Sequence, residues 1–209
     1  MNRMKYEPDK HHRRSIRLKG YDYSQAGAYF VTICTQNREC LFGDVVDGEM
    51  QVNDAGHMVH RIWNDLSVKY PDIETDEFVV MPNYFHGIIV IVGAPLVGAH
   101  FFDPKIDDAE TRAGTRPAPT LLGDVVGLFK SITTHQYTNG VRQYNWPSFN
   151  GKLWQRNYYE HIIRSEEEMD RIREYIMENP LKWAEDEDHP ENIIRKNTTL
   201  TDFPCPPSP

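Results

Sequence analysis

Two short segments, far apart in the chain, carry residue types that phosphoryl transfer needs. The first is Met81-Pro82-Asn83-Tyr84-Phe85-His86-Gly87-Ile88-Ile89 and the second is Arg173-Glu174-Tyr175-Ile176-Met177-Glu178-Asn179-Pro180. Side chains alternate across a strand, so Tyr84 and His86 share one face while Phe85 takes the other, toward a core. On a helix, Tyr175 and Asn179 lie about 40° apart along the margin of an apolar stripe of Met169, Ile172 and Ile176. The tyrosine supplies a nucleophilic oxygen, the asparagine a hard carbonyl ligand for Mg²⁺ or Mn²⁺, and the histidine a neutral nitrogen suited to the latter. A metal-binding strand facing a nucleophile helix is an arrangement for phosphoryl transfer. Each residue alone has a plainer explanation, because strand histidines are usually structural and a tyrosine bordering an apolar stripe usually packs there. Spacing by itself does not decide between the two.

The elements that must position these residues can be read from periodicity and punctuation. Ala28 to Thr35 is β-branched and aromatic and reads as a first strand. Asp54 to Tyr70 has helical spacing, with Asn53 or Asp54 as N-cap and Pro71 just past its end. Glu77 to Met81 and Tyr84 to Val92 read as two further strands, antiparallel if Pro82-Asn83 begins the turn between them. From 93 to 119 the chain turns to Gly, Ala, Pro, Asp and Arg without periodicity, which predicts a long flexible loop. Leu121 to Tyr137 resumes helical spacing, and Trp146 to Trp154 is turn-rich and aromatic, with a short strand expected at Lys152 to Gln155. Ser165-Glu166-Glu167-Glu168 is a capping box that starts a helix, which should stop near Asn179 because the residue before a proline avoids the helical region.

With 209 residues the chain is long enough to bury a core without disulfides or a structural metal. The expected organisation is a basic arm over 1–20, one domain over 21–185, and a polar, proline-rich tail over 186–209 that is expected to be disordered. The longest apolar run, Ile88 to Val92, is strand-sized and no secretory signal is legible, so a cytoplasmic location without membrane spans is expected. Cys34, Cys40 and Cys205 have no metal-type spacing and read as reduced thiols. A net charge of −8 argues against nucleic acid only if it is evenly spread, and it is not. Arg13, Arg14, Arg17 and Lys19 crowd the first residues, whereas acids gather between Glu160 and Glu191. The arm is therefore either a phosphate contact or a solvated tail.

Four ordered segments resemble the single-tyrosine HUH transposases of insertion sequences, and among them the REP-associated tyrosine transposases. They are Tyr29-Phe30-Val31-Thr32, Val80-Met81-Pro82-Asn83-Tyr84-Phe85-His86, Leu153-Trp154-Gln155-Arg156-Asn157-Tyr158-Tyr159-Glu160-His161-Ile162-Ile163-Arg164, and Tyr175-Ile176-Met177-Glu178-Asn179-Pro180. The resemblance implies an α+β fold, an antiparallel sheet with helices packed on its faces and an HUH-endonuclease-like, ferredoxin-like core with the metal strand near the middle. It places the nucleophile on Tyr175, the second metal histidine on His86 and a third ligand on Asn179. Tyr84 stands where the first histidine would be, and a neutral phenol is a far poorer ligand than imidazole. Three outcomes stay open: a weaker Mg²⁺ or Mn²⁺ site completed by water and substrate phosphate, a DNA-binding protein without catalysis, or an altered residue at position 84.

What the resemblance implies for function is a DNA strand transferase that cleaves and rejoins single-stranded DNA at a repeat or hairpin through a 5′-phosphotyrosine link. The runner-up is a catalytically impaired DNA-binding relative; an accidental match in an RNA-binding or unrelated protein is the third. No P-loop or GxGxxG is present, so no nucleotide is expected. Stacking on exposed bases would fall to Trp146, Trp154, Tyr158 and Tyr159, interleaved with Lys152 and Arg156, with Lys130 on the exposed face of its helix. The aromatics read more often as core, and His161 is either a DNA contact or, more often, a structural residue. Homodimers occur among the resembling transposases, while no exposed heptad or self-complementary apolar stripe argues for one here.

Overall fold

A computed structural model describes residues 26–92 and 121–201, the side chains of Leu121 and of 196–201 excepted. The basic arm and the segment 93–119 expected as a loop lie outside the described residues. Along the chain run β1 (Gly27–Cys34), β2 (Gly43–Val46), β3 (Glu49–Val52), α1 (Asp54–Lys69), β4 (Ile73–Val80), β5 (Tyr84–Ile91), α2 (Leu121–Tyr144), β6 (Tyr159–Ile163), α3 (Glu166–Glu178) and α4 (Pro190–Thr201). A 3₁₀ turn over Pro180–Glu185 joins α3 to the last segment. Setting aside the small β2–β3 hairpin, the order is βαββαβ, and the four-stranded sheet is arranged β4-β5-β1-β6 with all neighbours antiparallel. This is the split βαβ arrangement of ferredoxin-like folds. The expected α+β antiparallel architecture is what the chain adopts, with β5 in the sheet interior.

Helices cover both faces of the sheet, for a reason visible in the alternation of β1 and β5. Tyr29, Val31, Ile33, Phe85 and Ile89 point to one face and join Met58, Ile62, Trp63 and Leu66 of α1 and Val125, Val126 and Phe129 of α2 in the main core. Each such large side chain, once fully buried, contributes about 1.5–3 kcal/mol relative to exposure. Trp63 packs 4.6 Å from the Phe85 ring and 5.4 Å from Phe129. Gly87 makes this approach possible, because a Cβ there would lie 2.6 Å from the Trp63 ring. On the opposite face Phe30, Ile88 and Ile163 meet Met169, Ile172 and Ile176 of α3.

The helix signals hold locally. Asn53 caps α1 by accepting from Gly56 N at 3.0 Å, and Ser165 caps α3 by accepting from Glu168 N at 3.2 Å. The Glu168 carboxylate reaches one residue further back than a capping box requires, accepting from Arg164 N at 2.7 Å and from His161 Nε2 at 2.8 Å. His161 is thereby part of the α3 start.

Three expectations need correction, and one element was not anticipated. The tail expected to be disordered from 186 folds as far as Thr201, because Asn192 donates to the carbonyls of Ala184 and Asp186 while Asp188 pairs with Arg38. The helix expected to end at Tyr137 runs on to Tyr144. In place of a strand over 152–155 there is a single bridge between Thr35 and Trp154, and the edge strand is β6 instead. The β2–β3 hairpin carries a legible signal that spacing arguments passed over. Its Asp47-Gly48 turn has φ of 52° and 79°, the left-handed pair of a type I′ turn.

Candidate functional site

The site forms where β5 and β1 face the carboxyl end of α3. Thr32 and His86 are directly paired across the β1–β5 ladder, and Thr32 Oγ1 lies 2.9 Å from His86 Nδ1. When Nδ1–H donates to the threonine, the Nε2 lone pair turns toward α3, where Tyr175 Oη lies 3.5 Å away. Aromatic rings wall the imidazole, with Tyr84 at 4.7 Å, Phe30 at 5.1 Å and Tyr175 at 5.5 Å between centroids. Only 5 % of His86 is exposed, and burial pushes its pKa down to about 3, so the ring is neutral across the physiological range. Tyr175 is 44 % exposed. Partial burial, and then the charge of Asp186, raise its pKa, while the Asn179 amide acts in the opposite sense.

Alpha3 is held in place by Arg173, two residues before the candidate nucleophile. Its guanidinium grips Asp76 of β4 with two bonds of 2.9 and 2.7 Å, a fork-to-fork pair that fixes direction as well as distance. That partner holds the Asp76 carboxyl below its usual range. Arg173 is consequently committed to the protein.

Tyr84, expected as a doubtful metal ligand, is the centre of a hydrogen-bonded knot. Its hydroxyl lies 2.6 Å from Asn179 Oδ1 and 2.6 Å from Asp186 Oδ2. The ring is 1 % exposed, and burial, reinforced by Asp186, raises the phenol pKa far above its ordinary value. Asp186 comes from the turn after the 3₁₀ segment, which is fastened from several sides. Asp186 Oδ1 accepts from Asp188 N, Asn83 Nδ2 donates to the Asp188 carbonyl at 2.8 Å, and Arg38 pairs with the Asp188 side chain. Trp183 packs with Met81 and Tyr84 beneath the same segment.

A divalent cation fits this arrangement poorly. The asparagine oxygen that should bind it and the nearest carboxylate oxygen both converge on a protonated phenol, and His86 Nε2 is the only imidazole nitrogen of the knot. Among the described residues there is no group of three His, Cys, Asp or Glu side chains placed to hold a metal.

The structure thus brings together Tyr84, His86, Tyr175 and Asn179, as the resemblance implied, and adds Thr32, Asn83 and Asp186. Of these, Thr32 and Asn83 lie inside the quoted motifs, but their partners depend on strand register and a remote loop. Asp186 sits in a run of acids, Glu185 to Asp188, in which nothing local marks one member.

The residues expected to contact DNA divide. Trp154 is core, 4 % exposed, with its indole N–H donating to Thr133 Oγ1 at 2.8 Å, so it is no stacking platform. Lys130 is bound at 3.0 Å to the carbonyls of Gln155 and Asn157, lies over the Tyr158 ring, and has its pKa lowered by burial to about 8. It ties the 155–157 loop to α2 rather than standing free, and Tyr158 packs against the main core beside it. Tyr159 is 47 % exposed on β6, in one row with Thr32 and His86. Trp146 packs against Tyr137 and Tyr144. Lys152 and Arg156 border a groove of about 630 Å³ between α2 and the 151–156 loop, together with His135 and Arg142 and without a single Asp or Glu. Arg13, Arg14, Arg17 and Lys19 lie outside the described residues.

Comparison with known proteins gives one strong relative. An uncharacterised protein of Haemophilus influenzae is 39% identical over 186 residues, covering 88% of this chain and 96% of the relative. The chain belongs to the same family as that protein. No family model matches it. Among solved structures, the chain is similar to a REP-associated tyrosine transposase bound to a REP hairpin, with a TM-score of 0.49 and 17% identity over 79% of this chain and 73% of that one. It is also similar to a candidate transposase from Deinococcus radiodurans, with a TM-score of 0.40 and 19% identity over 78% and 98% of the two chains. Both scores fall below 0.5, and the ferredoxin-like assignment rests on the chain's own strand order. Among the described residues no helix is long and apolar enough to cross a membrane.

Proposed function

We propose that this protein is a DNA strand transferase of the single-tyrosine type, acting on single-stranded or hairpin DNA through Tyr175. The observation that carries the reading is the half-exposed Tyr175, whose hydroxyl lies 3.5 Å from Nε2 of a neutral, buried histidine on the facing strand. In the reaction Tyr175 Oη attacks phosphorus in line, the P–O3′ bond breaks, and a 5′-phosphotyrosine forms with a free 3′-OH. The Tyr175 proton passes to His86 and from there to the leaving oxygen. An imidazole with a pKa near 3 is a weak base in the free protein. The negative charge of a bound phosphodiester favours its protonated form, which couples activation to substrate arrival.

The groove bordered by His135, Arg142, Lys152 and Arg156 is the surface we assign to the DNA backbone. Arg142, Lys152 and Arg156 have no ion pair among the described residues, so they are free to release counterions from phosphates. Tyr159, exposed in the His86 row, is the candidate for stacking an unpaired base.

The test is a 5′- or 3′-labelled hairpin oligonucleotide incubated with the full chain, with and without Mn²⁺, and resolved under denaturing conditions. A covalent adduct that is absent in Tyr175→Phe is expected. Arg142→Glu with Lys152→Glu should weaken hairpin binding and flatten its salt dependence by about one unit per removed cation. A second reading, DNA binding without cleavage, is favoured by the Tyr84 hydroxyl at the place of a metal-binding imidazole. Retained hairpin binding with no adduct under either condition would select it.

A further inference from the structure

We propose that the Tyr84 hydroxyl and the Asp186 carboxylate together take the place of a bound cation, so that the site holds its shape without a divalent metal. The argument starts from proton accounting. A phenol has one proton, yet two oxygens stand 2.6 Å from Tyr84 Oη, one on Asn179 and one on Asp186. The carboxylate is the stronger acceptor and takes the O–H. The Asn179 contact is then satisfied by a half-turn of the amide, which brings Nδ2 to the Tyr84 oxygen and turns Oδ1 toward Tyr175, whose O–H can donate to it. The result is a continuous chain of bonds, Asn179 to Tyr84 to Asp186.

Those bonds tie together what a cation would tie. Tyr84 belongs to the middle strand β5, Asn179 to the carboxyl end of α3, and Asp186 to the segment that follows. A metal between them would bind the same amide and carboxylate oxygens, but it would have to sit where the phenol proton now is. The position is also built from outside the knot. Asp186 is held by Asp188 N, its carbonyl by Asn192, and the next turn by Asn83 and Arg38, so the carboxylate is aimed at Tyr84 by backbone rather than by a flexible side chain. Asp186 and Tyr84 therefore replace the metal's tethering role and not its charge, since the pair is net negative where a divalent cation would be positive.

This inference uses the same site as the strand-transfer reading, but its readout is metal occupancy, so either can fail without the other. The experiment titrates Mn²⁺ into the full chain and follows free Mn²⁺ by electron paramagnetic resonance, with thermal melting in parallel. The wild-type and His86→Ala titrations should superimpose, and Mn²⁺ should leave their melting temperatures unchanged. Tyr84→His should retain one equivalent of Mn²⁺ and melt higher in its presence. Adding Asp186→Ala to Tyr84→His should weaken that binding roughly tenfold or more. Adding Asp186→Glu should restore part of it. One equivalent of Mn²⁺ bound by the wild type and lost in His86→Ala would overturn the proposal, whatever the behaviour of the Tyr84 variants. A folded Tyr84→His that gains no Mn²⁺ would overturn it as well.

Discussion

The two faces of the sheet are built from alternate residues of the same strands and differ in what holds them. On the α1 and α2 face, Phe85 lies among Trp63, Phe78 and Phe129, at 4.6, 5.9 and 5.0 Å between ring centroids, and nothing but packing fixes it. On the α3 face, its neighbours Tyr84 and His86 are fixed by hydrogen bonds to Thr32, Asn179 and Asp186. The first face tolerates no lost volume, because interiors are packed at crystal density. The second tolerates little change of charge or proton count, because a buried polar group without its partner costs more than the bond is worth when made. A site placed on the second face can be rewritten chemically while the first keeps the fold.

The largest expected effect tests the packed face. Phe85→Ala should lower stability in urea unfolding by about 3–5 kcal/mol, while the fraction that stays folded binds a hairpin as before. A loss below about 1 kcal/mol would mean that the aromatic cluster is not the main support of the sheet.

Next comes the titration of the polar face. Burial holds His86 at about 3 in the folded protein, against about 6.5 in an unfolded chain. Between these values the unfolded state binds a proton that the folded state refuses. The stability is therefore whole above about pH 6.5 and falls by about 1.4 kcal/mol per pH unit on acidification, reaching a loss of about 2–3 kcal/mol by pH 4.5. His86→Gln should remove this slope, read from unfolding curves at several pH values. An unchanged slope would show that His86 does not titrate as a buried group.

A smaller effect is expected from Tyr84→Phe, which keeps the ring and deletes the hydroxyl of the knot. The cost should be about 1–3 kcal/mol, since Asp186 and Asn179 each lose a partner. If the loss is negligible, the knot does not hold the C-terminal segment. The smallest effect belongs to Tyr159→Ala at the exposed margin of the same face. Stability should stay within about 0.5 kcal/mol, while binding of a hairpin with unpaired bases weakens by about 1–3 kcal/mol.

Much of the scaffold was legible because its signals are local. Asn53 and Ser165 as caps and the alternation of Tyr84, Phe85 and His86 each depend on neighbours within one turn or two residues; α3 does end near Asn179, but that residue keeps helical angles (φ −56°, ψ −43°) and the chain tightens into a 3₁₀ turn at Pro180 instead of leaving the helical region. The hairpin at Asp47-Gly48 was equally local and could have been read from its turn. What failed were expectations that needed distant partners. Trp154 looks like a DNA contact in a stretch of mixed aromatic and basic residues but is buried with its indole bonded to Thr133, while Lys130, which lines the α2 groove, is engaged by three carbonyls of the 155–157 loop. The tail from 186 looks unstructured because its order comes from Arg38 and Asn83, 150 and 105 residues before Asp188.

By itself the sequence determined which residue types exist to do chemistry and on which face of which element each must stand, because strand and helix periods are properties of the backbone. Only the tertiary structure decided that Thr32 orients His86, that Tyr175 meets the free side of that ring, and that Asp186 claims the proton of Tyr84. Those are matters of register and of loop closure, in which a side chain's partner is set by packing across the molecule and not by its distance along the chain.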